Sequence, residues 1–324
     1  MDKILITGAG GFIGSHLAEL CVEQGFRVKA FVHYNSRNLW GWLEDSKHKS
    51  DLEVISGDIR DFDIVHESMK GVDTVFHLAA LIGIPFSYVS PMAYIKTNII
   101  GTYNVLQSGK LLGTENILVT STSETYGTAQ YVPVDENHPM VGQSPYSATK
   151  IAADHLALSF YRSFGLPIKI VRPFNTYGPR QSARAIIPTI ILQILNTQKT
   201  IKLGNLHPLR DFTFVKDTAN GFVEIGKSDK LFGDIINIGM NEEISIGDLA
   251  RQIADLMDSE IEITIEKERT RPDSSEVQRL LCDNSKIIKS TNWQPQYKLK
   301  QGLIESIEWI RKNKEKYKLE IYNI

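Results

Sequence analysis

The chain has 324 residues, 42% of them apolar and 23% charged, and its 36 basic side chains against 38 acidic ones leave a net charge of −2. That balance excludes a bulk electrostatic attraction to nucleic acid or to an anionic membrane surface, and the length allows one large domain or two. The only two cysteines, Cys21 and Cys282, offer neither a disulfide framework nor a metal-ligand spacing, so no metal is expected and each reads as a small buried hydrophobe.

At the N-terminus, Asp2 and Lys3 precede only a strand-length apolar run, so no signal peptide is expected. No later segment reaches the roughly 20 apolar residues needed to cross a bilayer, and the cytoplasm is the expected compartment. Lys3–Thr7 reads as a strand, followed by glycines at 8, 11 and 14 and an amphipathic segment from Ser15 to Leu20. Strand, glycine turn and helix make a dinucleotide-binding unit, because glycines admit the tight turn and let a pyrophosphate approach the helix N-terminus. The spacing here is GxxGxxG rather than GxGxxG.

A second strand is expected over residues 27–32. The acidic residue that normally binds the ribose 2′-hydroxyl of NAD is missing at its end, where the chain runs His33-Tyr34-Asn35-Ser36-Arg37. Leu52–Gly57 makes a third strand with Asp58 just after it, and residues 72–78 a fourth, followed by the small pair Ala79-Ala80. Residues 81–91 read as a loop too apolar for idle exposure, with Ser87 a candidate for lining a ligand pocket. Residues 92–112 suit a long helix, within which Asn98 reads as structural. A further strand over residues 168–171 ends at Arg172, and beyond Asn175 the alternation of strand and helix becomes less regular, with Pro179, Pro188 and Pro208 punctuating it. The fold class is therefore α/β: a doubly wound parallel sheet of the Rossmann type over residues 1–175, with a smaller α/β part over 176–324 and some exchange of chain between the two.

The chemistry concentrates between Thr120 and Lys150. The apolar run Ile117-Leu118-Val119 is a buried strand, so Thr120-Ser121-Thr122-Ser123-Glu124 stands at its carboxyl end, where open α/β sheets bind ligands. Ser144-Pro145 opens a helix from Tyr146, and Lys150 lies four residues on, so both side chains leave one face. A free tyrosine with a pKa of about 10 is a poor base. A nearby ammonium and a cationic nicotinamide would both favour its phenolate.

Taken together, residues 7–14, Asp58-Ile59-Arg60-Asp61, His77-Leu78-Ala79-Ala80, residues 121–127 and 146–150, the run from Arg172 to Pro179, and Arg210-Asp211-Phe212 stand in the order of a known family. The chain resembles the extended short-chain dehydrogenase/reductases, and within them the nucleotide-sugar 4,6-dehydratases. Residues 31–42 and 127–133 resemble the branch that acts on GDP-N-acetylglucosamine in legionaminic acid biosynthesis. The resemblance implies a dinucleotide held by Gly8, Gly11, Phe12, Ile13, Gly14, Asp58, Ile59, Leu78, Ala79 and Ala80 together with Tyr146 and Lys150. It suggests NAD, while the missing carboxylate and Arg37 leave NADP open. It also implies a nucleotide-diphosphate sugar held by Asn175, Arg210, Arg271 and Glu276, and a homodimer through a four-helix bundle of the helices at 92–112 and 146–164.

Within that family Glu124 separates the chemistries. Epimerases usually carry a small residue after Thr122-Ser123, whereas dehydration needs a base for the C5 proton and an acid for the departing C6 hydroxyl. Glu124 fits the base. Ser123 is too weak an acid to act unaided, so either Glu124 returns the proton itself or Ser123 relays it, and the reading favours Glu124 in both roles. A 4-epimerase, a 5-inverting dehydratase and a non-catalytic dinucleotide sensor remain as alternatives.

Overall fold

The computed structural model describes residues 1–196 and 199–318. Its first half alternates strands and helices: β1 (Lys3–Thr7), α1 (Phe12–Glu23), β2 (Arg27–His33), β3 (Leu52–Gly57), α2 (Phe62–Met69), β4 (Thr74–His77), α3 (Ile84–Val89), α4 (Pro91–Tyr94), α5 (Gly101–Leu112), β5 (Asn116–Thr120), α6 (Pro145–Phe164) and β6 (Ile168–Pro173). The second half supplies β7 (Asn175–Tyr177), α7 (Ile186–Leu195), β8 (Thr200–Leu203), β9 (Leu209–Arg210), β10 (Phe212–Phe214), α8 (Val215–Lys227), β11 (Ile235–Ile238), β12 (Ile244–Ser245), α9 (Ile246–Leu256), β13 (Glu262–Ile265), β14 (Arg279–Leu280), α10 (Ser285–Ser290) and α11 (Leu299–Lys312).

Seven of these strands form one sheet in the order β11-β6-β5-β4-β1-β2-β3, with every neighbouring pair parallel. This is the doubly wound sheet expected from the sequence. Strand order reverses between β1 and β4, which opens a crevice at their carboxyl ends. One face carries α1 packed on α8, with Leu17, Ala18, Cys21, Phe76, Phe222 and Val223 in its core. The other carries α2, α5 and α6, burying Val65, Met69, Val105, Ile117, Ala157 and Leu158. Because both faces are covered, the central strands are apolar throughout rather than alternating. A second core joins α7, α9 and α11 through Ile190, Ile191, Leu249, Ile253, Leu303 and Ile307.

Several sequence expectations shift in detail. The fourth strand is shorter than residues 72–78, and the apolar stretch at 81–91 is not a plain loop but contains α3. The long helix expected over 92–112 changes winding midway, where Ile95–Ile100 forms a π-helical turn between α4 and α5. Asn98 lies on that turn, exchanging hydrogen bonds with the backbone of Leu81 and donating to the Thr149 hydroxyl, which is a structural role. Cys282 lies outside the named strands, forming an isolated bridge with Val134. Both thiols are buried, and burial pushes that of Cys21 up to about 12.

Candidate active site

The cradle at the strand-order reversal is built by close backbone contact. Gly8 has φ +73°, and a Cβ there would stand 2.9 Å from the Ala79 nitrogen; one on Gly14 would stand 2.2 Å from the Gly8 carbonyl oxygen. The turn, the end of β4 and the first turn of α1 are thus in mutual contact. The Thr7 hydroxyl accepts hydrogen bonds from the N–H groups of Leu78 and Ala79, both at 3.1 Å, and lies 2.8 Å from His77 Nδ1. His77 Nε2 in turn meets Thr102 at 3.0 Å, and burial pushes this imidazole down to about 3. Helix α1 starts at Gly11 with no side-chain cap and no acidic residue in its first turn. Its free N–H groups and positive dipole end suit a pyrophosphate, so the residues present fit a dinucleotide.

Other members of the expected cofactor set are placed as follows. Phe12 and Ile13 are half-buried at the start of α1. Ile59 is buried beneath Gly101, and Leu78, Ala79 and Ala80 are half-buried along the crevice. The Asp58 carboxylate is engaged by Arg60 through its backbone N–H and its guanidinium, which holds it below the usual carboxylate range. At the end of β2 no carboxylate is present, Arg37 is exposed, and the Asn35 side chain closes the turn by bonding His33 and Leu39. The following loop folds back until the Trp42 N–H donates to Gly10 O at 3.0 Å, which sets it against the glycine turn.

Beyond β5, Thr122 caps a short 3₁₀ turn at Ser123–Tyr126 by accepting from the Glu124 N–H. A reciprocal Ser144/Ser147 capping box starts α6, with Pro145 in its first turn. Tyr146 and Lys150 are both buried on this helix. The Thr122 side chain stands near the Tyr146 hydroxyl, and Lys150 Nζ donates to the Thr120 carbonyl.

The protein's own groups act on this pair mainly through desolvation. Burial pushes the Tyr146 phenol above its ordinary value, with Glu124, Tyr94 and Asp154 adding to it and Thr122 opposing. Burial also brings the Lys150 ammonium down to about 8. These shifts describe the pair without a cofactor, whereas the expectation of a favoured phenolate includes a cationic nicotinamide beside it. Removing water from each group is the largest influence on both.

Glu124 meets the second half of the chain. Its Oε2 lies 4.0 Å from Arg271 Nη1, and that nitrogen lies 3.8 Å from Glu276 Oε1. Arg210, almost wholly buried, donates to the same Glu276 oxygen at 3.3 Å. Glu124, Arg210, Arg271 and Glu276, read separately in the sequence, thus form one cluster beside Tyr146. Ser123 is buried next to Glu124. Asn175 is half-buried on β7, its amide donating to Asp211 O at 3.3 Å.

Ser87 is the exception. It is fully buried and its hydroxyl donates to Ile84 O at 2.6 Å within α3, so it does not present a group to a sugar. Its neighbour Tyr88 instead reaches the Ser275 hydroxyl at 2.6 Å, and Ser275 bonds the Gln143 carbonyl. Tyr88, Ser275 and Gln143 pin the loop that carries Arg271 and Glu276. Sequence reasoning missed them, and contacts between residues more than 130 apart leave no local signal. A separate cleft of about 910 Å³ between α1, α8 and α11 is lined by His16, Glu19, Lys216, Glu305 and Trp309, and contains none of the catalytic candidates.

A glycine turn at the reversal of a parallel sheet, with a Tyr-Lys pair one strand away, defines an extended short-chain dehydrogenase/reductase. The family model for GDP-mannose 4,6 dehydratase matches residues 5–306, and the chain belongs to that family of nucleotide-sugar dehydratases and epimerases. It is 32% identical over 323 residues to a UDP-N-acetyl-alpha-D-glucosaminuronate decarboxylase of Bacillus cytotoxicus, covering 95% of this chain and 98% of that one. It is 30% identical over 321 residues to a trifunctional UDP-glucose 4,6-dehydratase of Arabidopsis thaliana, covering 97% of this chain but only 47% of that longer protein. Among solved structures, UDP-glucuronic acid 4-epimerase of Bacillus cereus with NAD aligns at TM-score 0.87 and 29% identity over 96% of this chain and 99% of that one. The dTDP-glucose 4,6-dehydratase of Bacillus anthracis with NAD aligns at 0.86 and 25% identity, over 98% and 99%.

Proposed function

We propose that the chain is a nucleotide-sugar 4,6-dehydratase that uses NAD and converts GDP-N-acetylglucosamine to the 4-keto-6-deoxy sugar. The observation that carries this reading is the Glu124 carboxylate, placed beside the Tyr146 phenol and facing two arginines. Hydride exchange at C4 has no use for such a group, and elimination across C5 and C6 requires one. NAD is favoured because the structural relatives above hold it, and the uncapped α1 N-terminus suits its pyrophosphate. Held by the glycine turn and the start of α1, NAD would supply the hydride exchange between C4 and C6.

Tyr146 takes the proton of the C4 hydroxyl, and Lys150 stabilises the phenolate. Thr122 donates a hydrogen bond to the developing carbonyl. Glu124 removes the C5 proton, made acidic by the neighbouring ketone, and returns it to the C6 hydroxyl, which leaves as water; Ser123 orients that proton. As C6 receives hydride, C5 regains a proton drawn from solvent through Glu124, which balances the C4 hydroxyl proton that Tyr146 gives up to solvent. Arg210 and Arg271 grip the diphosphate, since guanidinium binds phosphate bidentately, and Asn175 and Glu276 hold the nucleotide end.

The face turned outward by α4, α5 and the turn between them exposes Met92, Ile95, Ile100, Tyr103 and Leu111, with Phe164 at the end of α6. That stripe supports a homodimer through a four-helix bundle.

Incubation with GDP-, UDP-, dTDP- and CDP-linked hexoses and N-acetylhexosamines tests the assignment by product mass. The expected product has lost one water from the GDP-N-acetylglucosamine substrate. Glu124→Gln is expected to bind NAD normally and to lower dehydration by at least about 10²-fold, the scale of one general base. Unchanged turnover in that variant removes the assignment. A product of unchanged mass with inverted C4 selects the epimerase reading, which the epimerase among the solved relatives supports.

A further inference from the structure

We propose that Asp154 is a positioning residue for the Tyr146–Lys150 pair: it fastens the strand end carrying Thr122 and Glu124 to α6, and its carboxylate acts on Lys150 along the same row of that helix. The proposal rests on the redox reading of that pair. Tyr146, Lys150 and Asp154 stand at successive four-residue steps of α6 and share one row of the helix. Asp154 Oδ2 accepts a hydrogen bond from the Ser121 hydroxyl at 2.6 Å and one from Arg172 Nη2 at 2.7 Å. Ser121 directly precedes Thr122, so this contact fixes the distance between the end of β5 and α6. Arg172 is held in turn, its guanidinium 4.5 Å over the Tyr126 ring and its Nε 3.4 Å from the Ser121 hydroxyl.

Stability alone does not account for this arrangement. Both side chains of the Asp154–Arg172 pair are essentially inaccessible. Desolvation offsets the attraction of such a pair, and apolar residues of the same volume often serve as well or better. The location supplies the reason. Both hydrogen bonds fall on Asp154 Oδ2, and Oδ1 has no hydrogen-bond partner. Arg172 offsets part of the carboxylate charge, and the remainder acts on Lys150 one helical step away.

The charged and titratable groups around the pair are His77 from β4, Glu124 after β5, Arg172 from β6, Tyr94 from α4 and Asp154 on α6 itself. His77 is neutral at working pH, since burial holds it at about 3. Asp154 is the group that opposes the burial bringing Lys150 down to about 8.

The test is Asp154→Asn, which keeps the shape and an acceptor for Ser121 and Arg172 but removes the charge. In the protein without cofactor or substrate, the ε-carbon NMR signal of Lys150, assigned with Lys150→Arg, is expected to titrate about one pH unit lower in D154N. In the loaded enzyme, stopped-flow absorbance of the reduced nicotinamide is expected to show a rate near wild type at pH 6 and about fivefold lower at pH 8. Ser121→Ala, which loosens the fastening without touching the charge, is expected to slow the step equally at every pH. If D154N folds poorly, D154N/R172Q leaves no unpaired buried charge and is expected to show the same shift. An unchanged Lys150 titration, or an equal loss at all pH values in D154N, overturns the proposal. If wild-type enzyme never reduces the nicotinamide, the dehydratase reading fails, while the Lys150 titration still decides the role of Asp154.

Discussion

Gly14→Ala sets two physical effects against each other. Gly14 is the third residue of α1, where helix propensity alone favours alanine by about 1 kcal/mol. The added Cβ, however, would lie 2.2 Å from the Gly8 carbonyl oxygen, 2.9 Å from its carbon and 3.0 Å from the Ala9 Cα. These are backbone atoms of a tight turn and cannot rotate aside. Restoring an ordinary C···O contact requires α1 to back away by about 1 Å. Leu17, Ala18 and Cys21, all fully buried, hold the helix in the core, so the displacement carries the cost of overpacking, about 1–3 kcal/mol. The balance is a loss of about 1 kcal/mol of unfolding free energy, read in a urea titration. NAD affinity is expected to fall by more than about tenfold in calorimetry, because the N–H groups facing the pyrophosphate move with the helix. Gly25→Ala is the control. Its φ of +84° also strains an alanine, but nothing lies within 4 Å of the new Cβ, so NAD binding should not change. A G14A variant that is more stable than wild type and binds NAD equally well refutes the close packing of helix on turn.

Two further outcomes are expected. His77, pushed down to about 3, takes up a proton on unfolding at any pH between that value and its ordinary 6.5. Its contribution to stability is therefore present above pH 6.5 and lost as pH falls toward 3. It amounts to about 2 kcal/mol between pH 7 and 5, and His77→Gln should lose correspondingly less in urea unfolding at those two values. Tyr103→Glu, on the exposed apolar stripe of α5, is expected to convert a sedimenting dimer to monomer with its melting temperature otherwise near that of isolated wild-type monomer. A wild-type chain that sediments as a monomer at all concentrations removes that surface from consideration.

Neighbours along the chain account for the elements and their order. Apolar runs of strand length, the glycine spacing after Lys3–Thr7, and the four-residue step from Tyr146 to Lys150 follow from local periodicity, and the parallel sheet follows from their alternation. Long-range contacts and the exclusion of water came with the folded chain. It brought Arg271 to 4.0 Å from Glu124 across nearly half the chain, and it paired Asp154 with Arg172 behind Lys150. It also turned the Ser87 hydroxyl inward and buried the Tyr146 phenol, which by itself raises it. Spacing sets which side chains share a face. Burial decides which of their charges survive there, and burial is a property of the whole folded chain.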